Sequence, residues 1–248
     1  MMSNSVSIGD KLTSLQRPPN EWGADGFIHD HVFSNDEGIQ SVLDPLSRNN
    51  SKNGFGIVIG AVGPLLSYMQ HRNESAFVLV DINPKVTLAS IGILGLAKGA
   101  SKYRDIEESL PAFFDKNNLN PQRFHEEKKI FGEHHWLRED SFESVKKRLG
   151  STSITPVSAD LLNPRFLHDL NEQRGDTACS FASLTNMHMY AAIEDLQFAL
   201  DRIPFAEEHT ILYSTNLFPR GGLQYAIASS KEEYLDTVDT EAGRFLSY

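Results

Sequence analysis

The sequence predicts an α/β fold: a doubly wound, mostly parallel sheet of about six to seven strands, with a helical insertion after the second strand. Three observations predict it. The runs FGIVIG and AFVLVD are short, continuous and rich in β-branched residues, the composition of strands buried on both faces. Similar runs alternate with helical patterns as far as the C-terminus, which is the economical signature of crossover connections. A glycine turn follows the first run and an acid closes the second.

Taken in order, the first twenty or so residues read as an arm, with Pro18-Pro19 ending any helix there. Residues 1–30 form this arm, and 31–248 read as one domain with the insertion at about 98–140. SNDEGIQSVLDPL predicts a helix: Ser34 or Asn35 can cap it, and Ile39, Val42, Leu43 and Leu46 form a 3-4 spaced stripe. NNSKNG breaks the chain before FGIVIG. GPLLSYMQH is a short helix and AFVLVD the second strand. A long, mostly helical stretch runs from TLASIGILG to PAFFDK, followed by the polar section NNLNPQRFHEEKK. SFESVKKRL reads as a surface helix with Ser141 as its cap. SITPVSAD, ACSFASLTN, HTILYSTN and LQYAIASS supply the third to sixth strands. PRFLHDLNEQRG and MYAAIEDLQFALDRI are the helices between them, the first stopped by Gly175.

The bulk composition narrows the function. The chain has 248 residues, 40% of them hydrophobic and 23% charged. It carries no apolar stretch of about 18 residues that could span a bilayer. The polar N-terminus lacks the basic-then-apolar layout of a secretory signal, and one cysteine rules out an internal disulfide; both fit a cytoplasmic protein. A net charge of −10 argues against general nucleic-acid binding, which needs a basic face. Lys146, Lys147 and Arg148 at a helix end are better read as favourable charges at its negative pole.

Ligands of an open α/β sheet sit outside the carboxyl ends of the strands, near the point where strand order reverses. Gly60, Gly63 and Asp81 lie there. Glycines after the first strand allow positive φ and close approach of a ligand, and an acid about 20 residues on can accept from both ribose hydroxyls. The turn reads G-A-V-G-P, and Pro64 has no N–H to give a pyrophosphate. A nucleoside without a diphosphate is favoured over a dinucleotide, and S-adenosylmethionine is the commonest such cofactor. The bland alternative is a tight turn with a surface acid. Asp160, closing SITPVSAD, either accepts from an adenine amine or caps the next helix. The fourth strand ends in S-L-T-N-M-H, which places Ser183, Asn186 and His188 near the reacting group. There Asn186 can position an acceptor and His188 can take a proton, unless it is a plain helix-start histidine.

The pair His134-His135 beside Trp136 is conspicuous, but adjacent histidines point to different faces, so no metal site is expected. Cys179 falls inside an apolar strand and reads as inert core. No G-x-S-x-G, G-K-[ST] or C-x-x-C occurs, so hydrolase and nucleotide-triphosphatase readings have no support.

The order of a G-x-x-G-P turn, a strand ending V-D-I-N, then P-V-x-A-D, then S-L-T-N resembles the class I S-adenosylmethionine-dependent methyltransferase superfamily, with its Rossmann-like sheet. FSNDEGIQSVLDPL, GAVGPLLSYM, AFVLVDIN, ITPVSADLLNPRFL and SFASLTNMHMY are similar to a little-characterised bacterial branch of it. That branch carries a V-G-P turn and a D-I-R strand end. The match runs in blocks from about Phe33 to Tyr190. The resemblance implies Gly60 and Gly63 beside the methionine part of the cofactor, Asp81 and Asn83 at the end of the ribose strand, and Asp160 at the adenine. It also implies Ser34 and Asn35 closing over the cofactor and Asn186 facing the acceptor, while Ser183 is a cofactor contact read from the end of the fourth strand. Asn83 stands where the branch has a basic residue, and Ala159 where it has glycine. The activity implied is methyl transfer to a small molecule or a protein side chain. Aminocarboxypropyl transfer from the same cofactor, a non-catalytic cofactor-binding role and a nicotinamide dehydrogenase are the alternatives.

Overall fold

The computed structural model describes residues 7–13, 15, 39–47, 53–185, 187–189, 191–216 and 223–245. Two short helices come first, α1 (Ile8–Thr13) and α2 (Gln40–Leu43). Then β1 (Phe55–Ile59), α3 (Val62–Tyr68) and β2 (Ala76–Asp81) make the strand–helix–strand unit read from the sequence. Between β2 and the next strand lie α4 (Pro84–Gly99), α5 (Tyr103–Asn117), α6 (Pro121–Phe131) and α7 (Glu139–Leu149). β3 (Ser153–Ser158), α8 (Pro164–Arg174) and β4 (Cys179–Thr185) follow. After a 3-10 turn at Met187–Met189 come α9 (Ile193–Leu200), β5 (Phe205–Asn216), β6 (Leu223–Ala228) and α10 (Lys231–Phe245).

The described strands form one six-stranded sheet in the order β3-β2-β1-β4-β5-β6, parallel throughout except for β6, which runs antiparallel to β5. The chain winds outward from β1 to β3, then restarts at β4 on the other side of β1. Strand order therefore reverses between β1 and β4, which is where such sheets bind ligands. This is a doubly wound, Rossmann-like α/β fold.

Side chains alternate across each strand, so register decides which residues meet which layer. Val58, Phe77, Leu79, Phe181 and Leu212 pack on one face, in a single core with residues of α3 to α7. Ile57, Val78, Val80, Ala182, Leu184 and Ile211 pack on the other, against α1, α8, α9 and α10. Asp81 follows Phe77 and Leu79 at intervals of two, and thus belongs to the face that carries the insertion. The insertion is fixed there by aromatic burial and by polar ties. Phe124, Phe131, Trp136 and Phe142 are all buried, each stabilising by roughly 1.5–3 kcal/mol. The backbone N–H of Trp136 donates to Ser67 Oγ at 3.1 Å, and Gln70 Nε2 donates to the carbonyl of His134 at 2.7 Å.

Several elements differ from the sequence reading. The long helical stretch is two helices, broken at Ala100, Ser101 and Lys102, where Asp105 accepts from the N–H groups of Ser101 and Lys102. The polar section around residue 121 is largely helix, because Asn120 caps it and Pro121 suits its first position. Ser141 is not a cap: α7 starts at Glu139, and the Ser141 hydroxyl donates to the carbonyl of Glu133. The helix expected from residue 189 starts at Ile193, and α10 was not anticipated. Gly175 does end α8, at φ +61°. Ser34 and Asn35 lie outside the described residues. No helix among the described residues is long and apolar enough to cross a membrane.

Candidate functional site

Gly60 and Asp81 close β1 and β2 side by side. The N–H of Gly60 donates to the carbonyl of Val80 at 3.0 Å, so the two strand ends are tied. Gly60 takes φ +101°, a conformation that disfavours any side chain, and among the described residues, its chain neighbours aside, nothing lies within 4 Å of where a Cβ would point. The turn is open on that side, as a ligand seat requires.

Asp81 is largely shielded from water, and burial pushes its carboxyl up to about 6, although the N–H of Asn83 donates to Oδ1 at 2.7 Å and pulls the other way. A carboxylate held at a loss of hydration is primed to accept hydroxyl donors from a ligand. The side chain of Asn83 is occupied otherwise: its oxygen accepts from the N–H of Lys85 at 2.9 Å and caps α4.

Gly63 has a different neighbour. It lies within the first turn of α3, and a Cβ on it would stand 2.1 Å from Glu127 Oε1. The missing side chain makes room for a carboxyl group of the insertion. Glu127 itself is fully buried and was not singled out in the sequence. A signal existed, since Phe124, Glu127 and Phe131 are spaced 3-4 on the buried face of α6.

β3 pairs with β2 so that Ser158 stands opposite Asp81. Asp160 follows two residues later, half-buried. Its Oδ1 accepts from the N–H of Leu162 at 2.9 Å, closing a local turn, while α8 is capped by Asn163. Asp160 thus lies at the same sheet edge as Asp81 and does not cap the helix.

On the other side of β1, Ser183 stands opposite Val58 and shares the insertion face with Phe181. It is 0% exposed, and its hydroxyl has no hydrogen-bond partner among the described residues; nor have the hydroxyls of the buried Ser158 and Ser214. Buried hydroxyls in native proteins are nearly always satisfied, so a run of them along one face of the carboxyl half of a sheet is the lining expected of a polar ligand or ordered water. Thr185 closes β4 in the left-handed region, at φ +44°, where the β4–β5 register slips. For a β-branched residue this is strain, of the kind that clusters at functional sites. Asn186 lies outside the described residues. His188 sits half-buried in the turn after β4, and burial lowers its pKa, so that its ring is neutral at pH 7.

Other titratable groups fall outside this edge. His135 and Trp136 are buried, whereas His134 lies beside His71, with ring centroids 5.2 Å apart. Among the described residues no three metal-ligating side chains converge. Burial pushes the Cys179 thiol up to about 12, and its Sγ donates to the carbonyl of Phe181, which makes it an inert core residue. Two clefts occur in the insertion. One of about 200 Å3 lies between α5 and α6, lined by Leu110, Phe114 and Phe124; another of about 280 Å3 lies where α4 meets α5. Neither is lined by the strand-end groups, and neither offers convergent unpaired polar atoms. We place the site on the strand-end geometry.

No protein-family model matches the chain, and no curated protein matches it. Among solved structures it is similar to the rRNA methyltransferase aviRa from Streptomyces viridochromogenes, at 12% sequence identity and a TM-score of 0.39, covering 84% of this chain and 82% of that one. At that level the likeness carries no argument about activity or substrate.

Proposed function

We propose that this chain is an S-adenosylmethionine-dependent methyltransferase acting on a small-molecule or protein acceptor. One observation carries the reading. Asp81 and the open, positive-φ Gly60 are tied together at the carboxyl ends of adjacent strands, beside the reversal of strand order. The residues present suit such a cofactor: an acid for the ribose, hydroxyls at Ser158 and Ser183 without partners among the described residues, and Pro64, which has no N–H for a diphosphate.

The cofactor supplies an electrophilic methyl on a sulfonium. The chain has to orient it and to place an acceptor in line, which accounts for most of the rate in a displacement of this kind. Asp81 fixes the ribose, and Asp160 is the candidate acceptor for the adenine amine. Gly60 lets the ligand lie against the backbone. His188 keeps an unprotonated ring nitrogen at neutral pH, the state needed to take the proton an acceptor nucleophile loses. Asn186 is proposed as the residue that orients that acceptor.

The test is turnover of the cofactor by the purified chain against pools of small-molecule and protein acceptors, read by mass spectrometry. Methylated products support the proposal, and aminocarboxypropylated ones shift the reaction to another carbon of the same cofactor. Preferential thermal stabilisation by NAD would overturn the cofactor assignment.

A further inference from the structure

Helix α4 is apolar on its outward side as well as on its inward one. Val86, Ala89, Ile93 and Ala97 are buried in the core that covers the sheet, whereas Leu88 is 59% exposed and Ile91 47% exposed. Among the described residues these are two of three exposed large hydrophobic side chains. The third, Phe198, is covered by the guanidinium of Arg202, 3.4 Å from its ring centroid. The rest of the outward side of α4 is small or apolar, apart from Lys85 and Lys98. A helix apolar all round belongs between two layers, and the described chain supplies one of them. The glycines of α4 divide in the same way. A Cβ on Gly92 would stand 2.4 Å from the ring of Phe113, so this glycine lets α5 come close. A Cβ on Gly95 or Gly99 would meet nothing within 4 Å among the described residues, chain neighbours and the helix's own backbone aside. Glycine weakens a helix relative to alanine, and no contact within the described chain requires it at Gly95. Both open glycines border the cleft of about 280 Å3 where α4 meets α5, whose wall carries Asp105. The N–H groups of Lys102 and Ser101 donate to that carboxyl and hold it below its usual range, so the cleft presents a carboxylate.

We propose that the outward side of α4 is the contact between two copies of this chain, paired antiparallel about a two-fold axis near Ile93. That register sets Leu88 over Gly99 of the second copy and Ile91 over its Gly95–Leu96 stretch, and the symmetry repeats each contact. The protruding side chains enter the cleft that the glycines leave open, as ridges enter grooves where helices pack closely. Charge agrees with shape. The charged residues of the protruding face are lysines, and the pairing brings Lys85 to the end of the second copy's α4 where Asp105 stands. Knob and cleft thus lie on one helix, at the spacing that a self-complementary contact needs.

Sedimentation equilibrium on the full chain tests this. Wild type should approach twice the 27.7 kDa of one chain as its concentration rises through the micromolar range. Ile91→Glu puts a charge into the contact and should weaken association by about ten-fold or more. Gly95→Leu fills the cleft from a helical position with open space at its Cβ, and should weaken association likewise. At concentrations where both proteins are monomeric, its urea midpoint should be no lower than that of wild type, which separates a lost contact from a lost fold. A wild type that stays at the mass of one chain up to about 100 μM overturns the proposal. So does a dimer that both variants form as tightly as wild type, since its contact then lies elsewhere. Flotation with phosphatidylcholine vesicles reads the other occupant: a monomeric wild type that floats, and an Ile91→Glu variant that does not, would make this face a lipid contact and overturn the proposal as well.

Discussion

The carboxyl group of Glu127 occupies the space a side chain at Gly63 would take, and it joins the helical insertion to the glycine turn. Gly63→Ala should therefore cost about 1–3 kcal/mol, as overpacking does in a close-packed interior. The cost is coupled: in a Glu127→Ala background the same substitution should be nearly neutral. A double-mutant cycle by urea unfolding measures the coupling, and additive costs would show that the contact is not what requires the glycine.

Asp81 makes stability depend on pH in an unusual sense. Its carboxyl is raised from 3.8 to about 6 by burial, so between those values the folded chain holds a proton that the unfolded chain has lost. Stability from this group is fully present below about pH 4 and is lost as pH rises through about 6. Asp81→Asn removes that loss, and should be more stable than wild type by up to about 3 kcal/mol at neutral pH, with little difference at pH 4. Thermal unfolding of both proteins across this range checks it; a constant difference at all pH values would contradict the raised pKa. Ligand binding should follow the opposite course in wild type, weakening as pH falls through 6 and the acceptor is protonated.

Thr185 holds a left-handed backbone that costs a β-branched residue about 1–2 kcal/mol. Thr185→Gly should relieve more than glycine adds in chain entropy, and raise Tm by about 1–4 °C. If the strain serves the site, the stabilised variant will bind S-adenosylmethionine less well. A stabilised variant with unchanged affinity would make Thr185 a plain bulge residue.

A second buried charge cluster lies at the opposite end of the sheet. Arg72 donates through Nε to both oxygens of Glu74 at 3.1 and 3.3 Å, Ser180 Oγ donates to Glu74 Oε1 at 3.0 Å, and the guanidinium lies 4.8 Å from the ring centroid of Phe181. Arg72 also donates to the carbonyls of Leu46 and Ser180. These residues sit before β2 and at the start of β4, at the end of the sheet away from Asp81. Glu74→Gln leaves a buried guanidinium uncompensated and should cost roughly 3–5 kcal/mol in denaturant unfolding. Affinity for the cofactor should be unchanged in the folded fraction; a loss of affinity would mean that the network reaches the site.

Much of this could be read in advance, and the reason is local chemistry. Gly60 and Asp81 announce themselves because β-branched runs bound them and the ligand rule for open sheets says what strand ends do. Glu127 did not, because its meaning depends on a contact with Gly63 far back in the chain, and a glutamate in a charged segment looks like solvated surface. The stripe of Phe124, Glu127 and Phe131 was the available clue. α10 also carried one: the N–H of Glu233 donates to Ser230 Oγ while the Glu233 carboxylate accepts from the N–H of the preceding Ser229, a cap of the Ser-x-x-Glu kind visible as Ser-Lys-Glu-Glu. The antiparallel direction of β6 has no such local mark, since composition does not encode strand polarity. Pairing with β5 decides it.

If Asp81 holds the ribose of a nucleoside cofactor, calorimetric titration of S-adenosylmethionine will separate wild type from Asp81→Ala. Wild type should bind clearly and the variant should lose at least about ten-fold in affinity, with its fold intact by circular dichroism. Equal affinity in the two proteins would contradict it.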